Sequence, residues 1–224
     1  MIWSRLTMPV LAAVATCFIL TTPVTAQTVF LSEPADQTGD VGRYSSMALD
    51  SNGDTHVCYH DRTIGGLKYI VKSGGVWSLP DTVDANAVLW VGEWCSLALD
   101  SSDRPHIAYY DSFRDDLMYA VKSGGMWQIE RVDETGDVGK GCSIALDSSD
   151  QPHISYINVG LTDLKYAARL GGSWSMESAS TEEFVYQFTS LALDAANEPH
   201  ISYYDLTGKR LRYATKSGAN WSLE

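Results

Sequence analysis

The sequence predicts an all-β fold assembled from repeated four-stranded units. Three observations carry this reading. First, four residues recur at fixed spacing. Asp50, Asp100, Asp147 and Asp194 are each followed six residues later by His56, His106, His153 and His200. Tyr69, Tyr119, Tyr166 and Tyr213 come thirteen residues after the His, and Trp77, Trp127, Trp174 and Trp221 eight after the Tyr. Second, short runs rich in Tyr, Val, Ile and Leu alternate with Asp-, Ser-, Gly- or Pro-containing turns, the composition of strands and hairpins. Third, no helical periodicity of useful length follows Gln27. Only the linker from each Trp to the next Asp varies, at 23, 20 and 20 residues. A period of 47–50 residues with strand content is that of β-propeller blades.

In the second copy, strand a is expected at 96–99, b at 106–110, c at 117–121 and d at 126–132. Strand a reads Ser-Met-Ala-Leu, Ser-Leu-Ala-Leu, Ser-Ile-Ala-Leu and Ser-Leu-Ala-Leu in the four copies. Small residues alternating with aliphatic ones suit the crowded centre of a radial array. Strands b and c are apolar on both faces, as blades packed on two neighbours require. The repeated Trp is then a packing anchor between blades. Four antiparallel blades of about 47 residues are expected at 45–84, 95–133, 142–180 and 189–224, the last incomplete. Residues 29–50 align without gaps on 126–147, so 27–44 read as a lone closing strand d and its loop, with Phe30 at the place of Trp127. Four blades plus an orphan strand d lead us to expect a piece of a larger ring.

Residues 1–26 have the form of a secretory signal. Arg5 is the basic start, 8–20 is an apolar run, and Val24-Thr25-Ala26 is a small-residue cleavage site. The expected location is secreted, periplasmic or cell-surface, with no membrane association after cleavage. The chain carries 28 acidic and 16 basic residues, a formal charge of −12. Nucleic-acid binding needs a basic patch and is not expected. Beyond the signal, Cys58, Cys95 and Cys142 form an odd set, which leaves at least one thiol unpaired. Cys95 and Cys142 occupy the same place in successive copies. Small buried strand residues are the first reading of all three, and a Cys95–Cys142 bridge the alternative.

The pattern Asp-x5-His-Ile-x-Tyr-Tyr-Asp, then Leu-x-Tyr-Ala, then Gly-Gly-x-Trp resembles the β-propeller repeats of exported bacterial proteins. The resemblance covers 29–224 and implies the fold, shared with sialidase-like and lectin-like propellers. It implies no catalytic residues. The sialidase Asp-box Ser-x-Asp-x-Gly-x-x-Trp and the Gly-His…Trp-Asp signature of WD40 repeats are both absent from the sequence.

The recurring residues belong to the scaffold. Each repeated His is expected to bond its own blade or the preceding Asp turn rather than a metal, whose ligands must cluster. Asp50-Ser-Asn52-Gly-Asp54 resembles half a calcium loop without its closing Glu. No cofactor is called for; calcium is compatible with the acidic surface but not indicated. Turns a–b and c–d, on one face of the disc, are uniform, whereas the b–c and d–a loops on the other face differ between copies. That variable face holds Trp90, Trp94, Phe113, Asp115, Asp116, Asp137 and Tyr186 as candidate ligand-binding residues, with Phe184, Glu182 and Glu183 beside them. Aromatic rings beside carboxylates can stack on sugars and accept from their hydroxyls. The competing reading is that the rings fold back over the blade junctions. The expected function is non-catalytic recognition or scaffolding, with a glycan or protein partner at the cell exterior. The first alternative is a propeller glycoside hydrolase or lyase using Asp115, Asp116, Asp133, Glu134 or Asp137 as acid and base. The second is a purely structural surface repeat.

Overall fold

The computed structural model describes residues 32–85, 90–181 and 184–224. The signal segment, Phe30 and most of the orphan strand d therefore lie outside the described residues. The chain divides into Met1–Glu33 and Pro34–Glu224, and every described strand falls in the second unit.

That unit is all-β, a β-propeller architecture of four antiparallel sheets. Blade I holds β1 (Val41–Leu49), β2 (Thr55–Asp61), β3 (Gly66–Ser73), β4 (Val76–Trp77) and β5 (Asp81–Ala85). Blade II holds β6 (Val91–Leu99), β7 (Pro105–Asp111), β8 (Asp116–Ser123) and β9 (Met126–Asp133). Blade III holds β10 (Val138–Leu146), β11 (Pro152–Asn158), β12 (Asp163–Leu170) and β13 (Ser173–Ser180). Blade IV holds β14 (Val185–Leu193), β15 (Pro199–Asp205), β16 (Arg210–Ser217) and β17 (Asn220–Leu223). Each sheet is a meander in chain order. In blade I the d position is split between β4 and β5, both paired with β3. Pro80 lies in the gap, and a residue without an N–H cannot extend a ladder.

The repeated residues build the scaffold at every blade. In blade II the Tyr119 hydroxyl meets His106 Nδ1 at 2.5 Å, and His106 Nε2 faces Asp100 Oδ2 at 3.2 Å. The carboxylate selects the tautomer protonated at Nε2, so Nδ1 accepts from the Tyr. The same His–Tyr contact recurs at His56–Tyr69, His153–Tyr166 and His200–Tyr213. Asp50 opens a polar hairpin turn: its Oδ1 accepts the amides of Asn52 and Asp54, as Asp100, Asp147 and Asp194 do in their own turns. The Trp is an inter-blade anchor: Trp127, Trp174 and Trp221 stand edge-on against Tyr69, Tyr119 and Tyr166 of the preceding blade.

Three apolar clusters fill the junctions, one between each pair of adjacent blades. Near the centre the first strands of adjacent blades are tied directly. Ser46, Ser96 and Ser143 Oγ each accept from a backbone amide of the next blade, at Leu97, Ile144 and Leu191. In return Cys95, Cys142 and Thr189 donate to the carbonyls of Tyr44, Trp94 and Gly141. Only small side chains leave the strands close enough for this.

Residues 32–40 contain no strand. Asp36 nonetheless accepts from Tyr59 at 2.7 Å. Asp84 and Asp133, from the d strands of blades I and II, accept in the same way from Tyr109 and Tyr156 of the following blade. Asp36 thus occupies the place of a preceding blade's d-strand carboxylate, as its alignment with Asp133 requires.

Candidate functional site

The first strand of each blade begins earlier than the Ser-x-Ala-Leu core suggests, at Val41, Val91, Val138 and Val185. The extra residues read Val-Gly-Arg-Tyr, Val-Gly-Glu-Trp, Val-Gly-Lys-Gly and Val-Tyr-Gln-Phe. Register shifts interrupt the pairing here in all four blades. Tyr44 (φ 52°), Trp94 (φ 56°), Gly141 (φ 60°) and Gln187 (φ 73°) take left-handed conformations at these bulges. A bulge re-aims side chains where a regular strand would alternate them.

The result is an aromatic cluster shared by three blades. The Trp94 ring lies 4.9 Å from that of Tyr44 and 4.8 Å from that of Phe188, edge-on to the latter at 65°. Gly141 holds the equivalent place in blade III. Residues from all four first strands, among them Tyr44, Trp94, Gly141 and Phe188, line a single cavity of about 230 Å³. The first strands of all four blades therefore converge on one cavity, and the aromatic cluster lies at its end toward the variable loops. Tyr44 and Phe188 remain 37% and 59% exposed, so ring surface is open to solvent.

One residue earlier in each strand stand Arg43, Glu93, Lys140 and Gln187. Burial raises the Glu93 carboxyl above its ordinary range, and the charges of Lys140 and Arg43 partly oppose this. Lys140 Nζ is 2.7 Å from Asp137 Oδ2 and 4.9 Å from the centre of the Tyr110 ring. Tyr110 is buried, and its hydroxyl lies 2.6 Å from Asp115 and 2.9 Å from Asp137. Both carboxylates thus converge on one phenolic oxygen, which has a single proton to give. A second cavity, of about 490 Å³, adjoins Lys140. It is walled by Trp94, Ile157, Val159, Thr162, Val185, Tyr186 and Gln187.

The structure therefore gathers four of the seven sequence candidates. Trp94 and Tyr186 share the larger cavity, and Asp137 and Asp115 reach it through Lys140 and Tyr110. The other three stand apart. Trp90 lies under the Arg62 guanidinium (5.1 Å) and beside the His60 ring (6.4 Å), and its carbonyl accepts from Ser112. Phe113 is 57% exposed at the b–c turn, with Arg114 over its ring. Asp116 is buried and bound to Arg131 at 2.9 Å, a structural ion pair. Burial, with Asp111 and Glu134 nearby, raises its carboxyl despite Arg131. Asp133 is likewise buried and engaged by Tyr156 and Lys165. Glu182 and Glu183 lie outside the described residues.

Sequence reasoning missed Tyr44, Phe188, Glu93, Lys140 and Tyr110. It also missed His60, which is buried with neither ring nitrogen hydrogen-bonded among the described residues. A signal existed. In the frame Val-x-x-x-[Cys/Ser/Thr]-Ser-x-Ala-Leu the third and fourth positions carry a different residue in every copy, the fourth aromatic in three of them, while the Val and the Ser-x-Ala-Leu core stay fixed.

No family model matches this sequence, and no curated protein matches it. Solved structures share the fold at low identity. A protein of unknown function from Dyadobacter fermentans aligns at TM-score 0.60 and 12% identity, over 80% of this chain and 63% of its own. An ulvan lyase, described as a new family of polysaccharide lyase, aligns at TM-score 0.56 and 14% identity, over 80% and 56%. An exo-β-1,3-galactanase from Phanerochaete chrysosporium aligns at TM-score 0.54 and 10% identity, over 80% and 48%. The chain thus spans roughly half to two thirds of these proteins, and what is common to all of them is the blade architecture.

Proposed function

We propose that this chain is an exported carbohydrate-recognition propeller that binds glycan at the mouth of its central cavity. The observation that carries the reading is the Tyr44–Trp94–Phe188 cluster, half-open to solvent and rimmed by Glu93, Lys140 and Gln187. Aromatic faces stack on the apolar faces of sugar rings, while rim carboxylate, amine and amide groups meet hydroxyls from the side. The fold is one that polysaccharide-acting proteins such as the ulvan lyase also use, which is compatible with this ligand class.

The test is a glycan array followed by calorimetric titration of the best ligand. Wild-type binding should weaken at least about tenfold in Trp94→Ala and in Phe188→Ala, a loss of roughly 1.4 kcal/mol or more. Phe113→Ala, on the same face but away from the mouth, should bind normally. Equal loss in all three variants, or no glycan bound by the wild type, would defeat the reading.

A propeller enzyme is the second reading, favoured by the Asp115–Tyr110–Asp137 arrangement, in which two carboxylates lie close enough to serve as a catalytic pair. Release of reducing ends from a bound polysaccharide, abolished in Asp137→Asn, would move the assignment there. Binding without turnover keeps the first.

A further inference from the structure

Cys58 and Cys95 stand on different blades, in β2 and β6. Both are buried, and their Sγ atoms are 3.2 Å apart. The two strands approach to within 8 Å, Cα to Cα. The fold makes this a meeting place at each junction. Blades III and IV place Ser155 and Thr189 there, with their hydroxyls hydrogen-bonded at 2.7 Å. Blades II and III place Ala108 opposite Cys142 there. Only between blades I and II do two thiols face each other. The expected alternative partner, Cys142, meets Ala108 rather than a second thiol across its junction; both Cys95 and Cys142 also donate to a first-strand carbonyl, of Tyr44 and Trp94.

We propose that Cys58 and Cys95 are a disulfide modification site that staples blade I to blade II and leaves Cys142 a thiol. An S–S bond needs the sulfurs to close by roughly 1 Å to about 2.05 Å, a movement that side-chain rotation and slight blade approach supply. The chemistry is thiol–disulfide exchange with a low-molecular-weight or protein disulfide. One Cys thiolate attacks the oxidant's disulfide and expels its first thiolate. The other Cys thiolate then attacks the mixed disulfide and expels the second. The two thiol protons pass through solvent to the two expelled thiolates, so the Cys pair is oxidised and the oxidant is reduced to two thiols.

Burial raises the Cys95 thiol well above its ordinary range, so folded Cys95 is a poor nucleophile, and Cys58 is fully buried out of reach of an oxidant. The exchange therefore belongs to the folding chain, before blade II closes on blade I. Once made, the bond is shielded from reductant by the same packing.

The experiment refolds the full chain from denaturant in a reduced/oxidised glutathione buffer. Free thiols are then blocked with iodoacetamide in denaturant without reductant, and peptides are mapped by mass spectrometry. The expected result is a cross-linked peptide pair carrying Cys58 and Cys95, with Cys17 and Cys142 alkylated. The cross-link closes a segment of 37 residues, and reducing it should lower Tm by at least about 5 °C. The double variant Cys58→Ser/Cys95→Thr recreates the Ser155–Thr189 pair. It should fold and show no Tm response to reductant. Alkylation of both Cys58 and Cys95 in the refolded protein, or a cross-link that involves Cys142, would overturn the proposal.

Discussion

Trp94 and Phe188 meet edge-on at 4.8 Å although a whole blade separates their strands. The gap between them is open because blade III contributes Gly141. A Cβ on Gly141 would fall 2.1 Å from the Gln187 carbonyl oxygen and 3.0 Å from Phe188 Cα. Left-handed φ adds a strain that Tyr44 and Trp94 bear at the same place. The larger obstacle is space. Gly141→Ala should push β14 outward, part Phe188 from Trp94 and cost about 2–3 kcal/mol through overpacking. Near-ultraviolet circular dichroism should report the loss of the aromatic contact, and Tm should fall. An unchanged spectrum would show that the cluster does not depend on the glycine.

Trp127 is the clearest test of the inter-blade packing. Its ring lies 5.3 Å from Tyr69 at 76°, and its Nε1 donates to Asp81 Oδ2 at 2.9 Å. The side chain is only partly buried. Trp127→Ala should therefore cost about 2–3 kcal/mol, below the range for a fully buried Trp. Trp127→Phe keeps the ring and loses the hydrogen bond, and should cost about 1 kcal/mol. Urea denaturation of the two variants separates the terms. Equal losses would mean that the hydrogen bond, not the packing, holds the junction.

What could be read in the sequence follows from this division of labour. Asp100, His106, Tyr119 and Trp127 recur because each blade needs the same turn, hydrogen bond and anchor, so the period and strand order were legible. The start of strand a was not. Bulges at Tyr44 and Trp94 break the two-residue alternation by which strands are recognised, and Trp94 looked like a loop residue. Pro80 splits strand d of blade I, an interruption the repeat spacing does not register. The thiol pair was hidden for another reason. Cys95 and Cys142 match in repeat position and so lie one blade apart, whereas Cys58 and Cys95 differ in position and touch across a junction. Asp116 and Asp115 are neighbours in sequence with opposite fates. Asp116 opens β8 and turns inward to Arg131, whereas Asp115 stays in the loop beside Tyr110.

The histidines predict an acid-labile fold. Burial lowers the pKa of His60, His106 and His153 from the ordinary 6.5. At pH above about 6.5 these rings are neutral in both folded and unfolded chains and exert no pH dependence. Below it, the unfolded chain takes up protons that the folded chain refuses, so stability falls as pH falls. The decline continues until the lower, folded-state values are reached. Tm measured from pH 7.5 to 5 should drop, and His60→Leu, which removes a buried ring with no hydrogen-bond partner among the described residues, should flatten part of the slope. A wild-type Tm that stays level or rises over this interval would contradict the burial of these rings as neutral species.

Tyr110 offers the last test, at the point where scaffold and candidate site meet. Its hydroxyl lies within hydrogen-bond distance of both Asp115 and Asp137, and burial together with these two carboxylates raises its pKa far above the ordinary range. The phenol is therefore a donor at every accessible pH. It holds Asp115, from the b–c turn of blade II, beside Asp137, from the loop leading into blade III, and Lys140 supplies the counter-charge. Tyr110→Phe leaves the two carboxylates facing each other without that proton. The variant should lose about 1–2 kcal/mol at neutral pH. Asp137→Asn in the Tyr110→Phe background supplies an amide donor and should restore part of the loss at neutral pH. If Asp137→Asn is instead additive with Tyr110→Phe, the two carboxylates act independently, and neither the shared phenol nor a paired-carboxylate chemistry can be assigned to this junction.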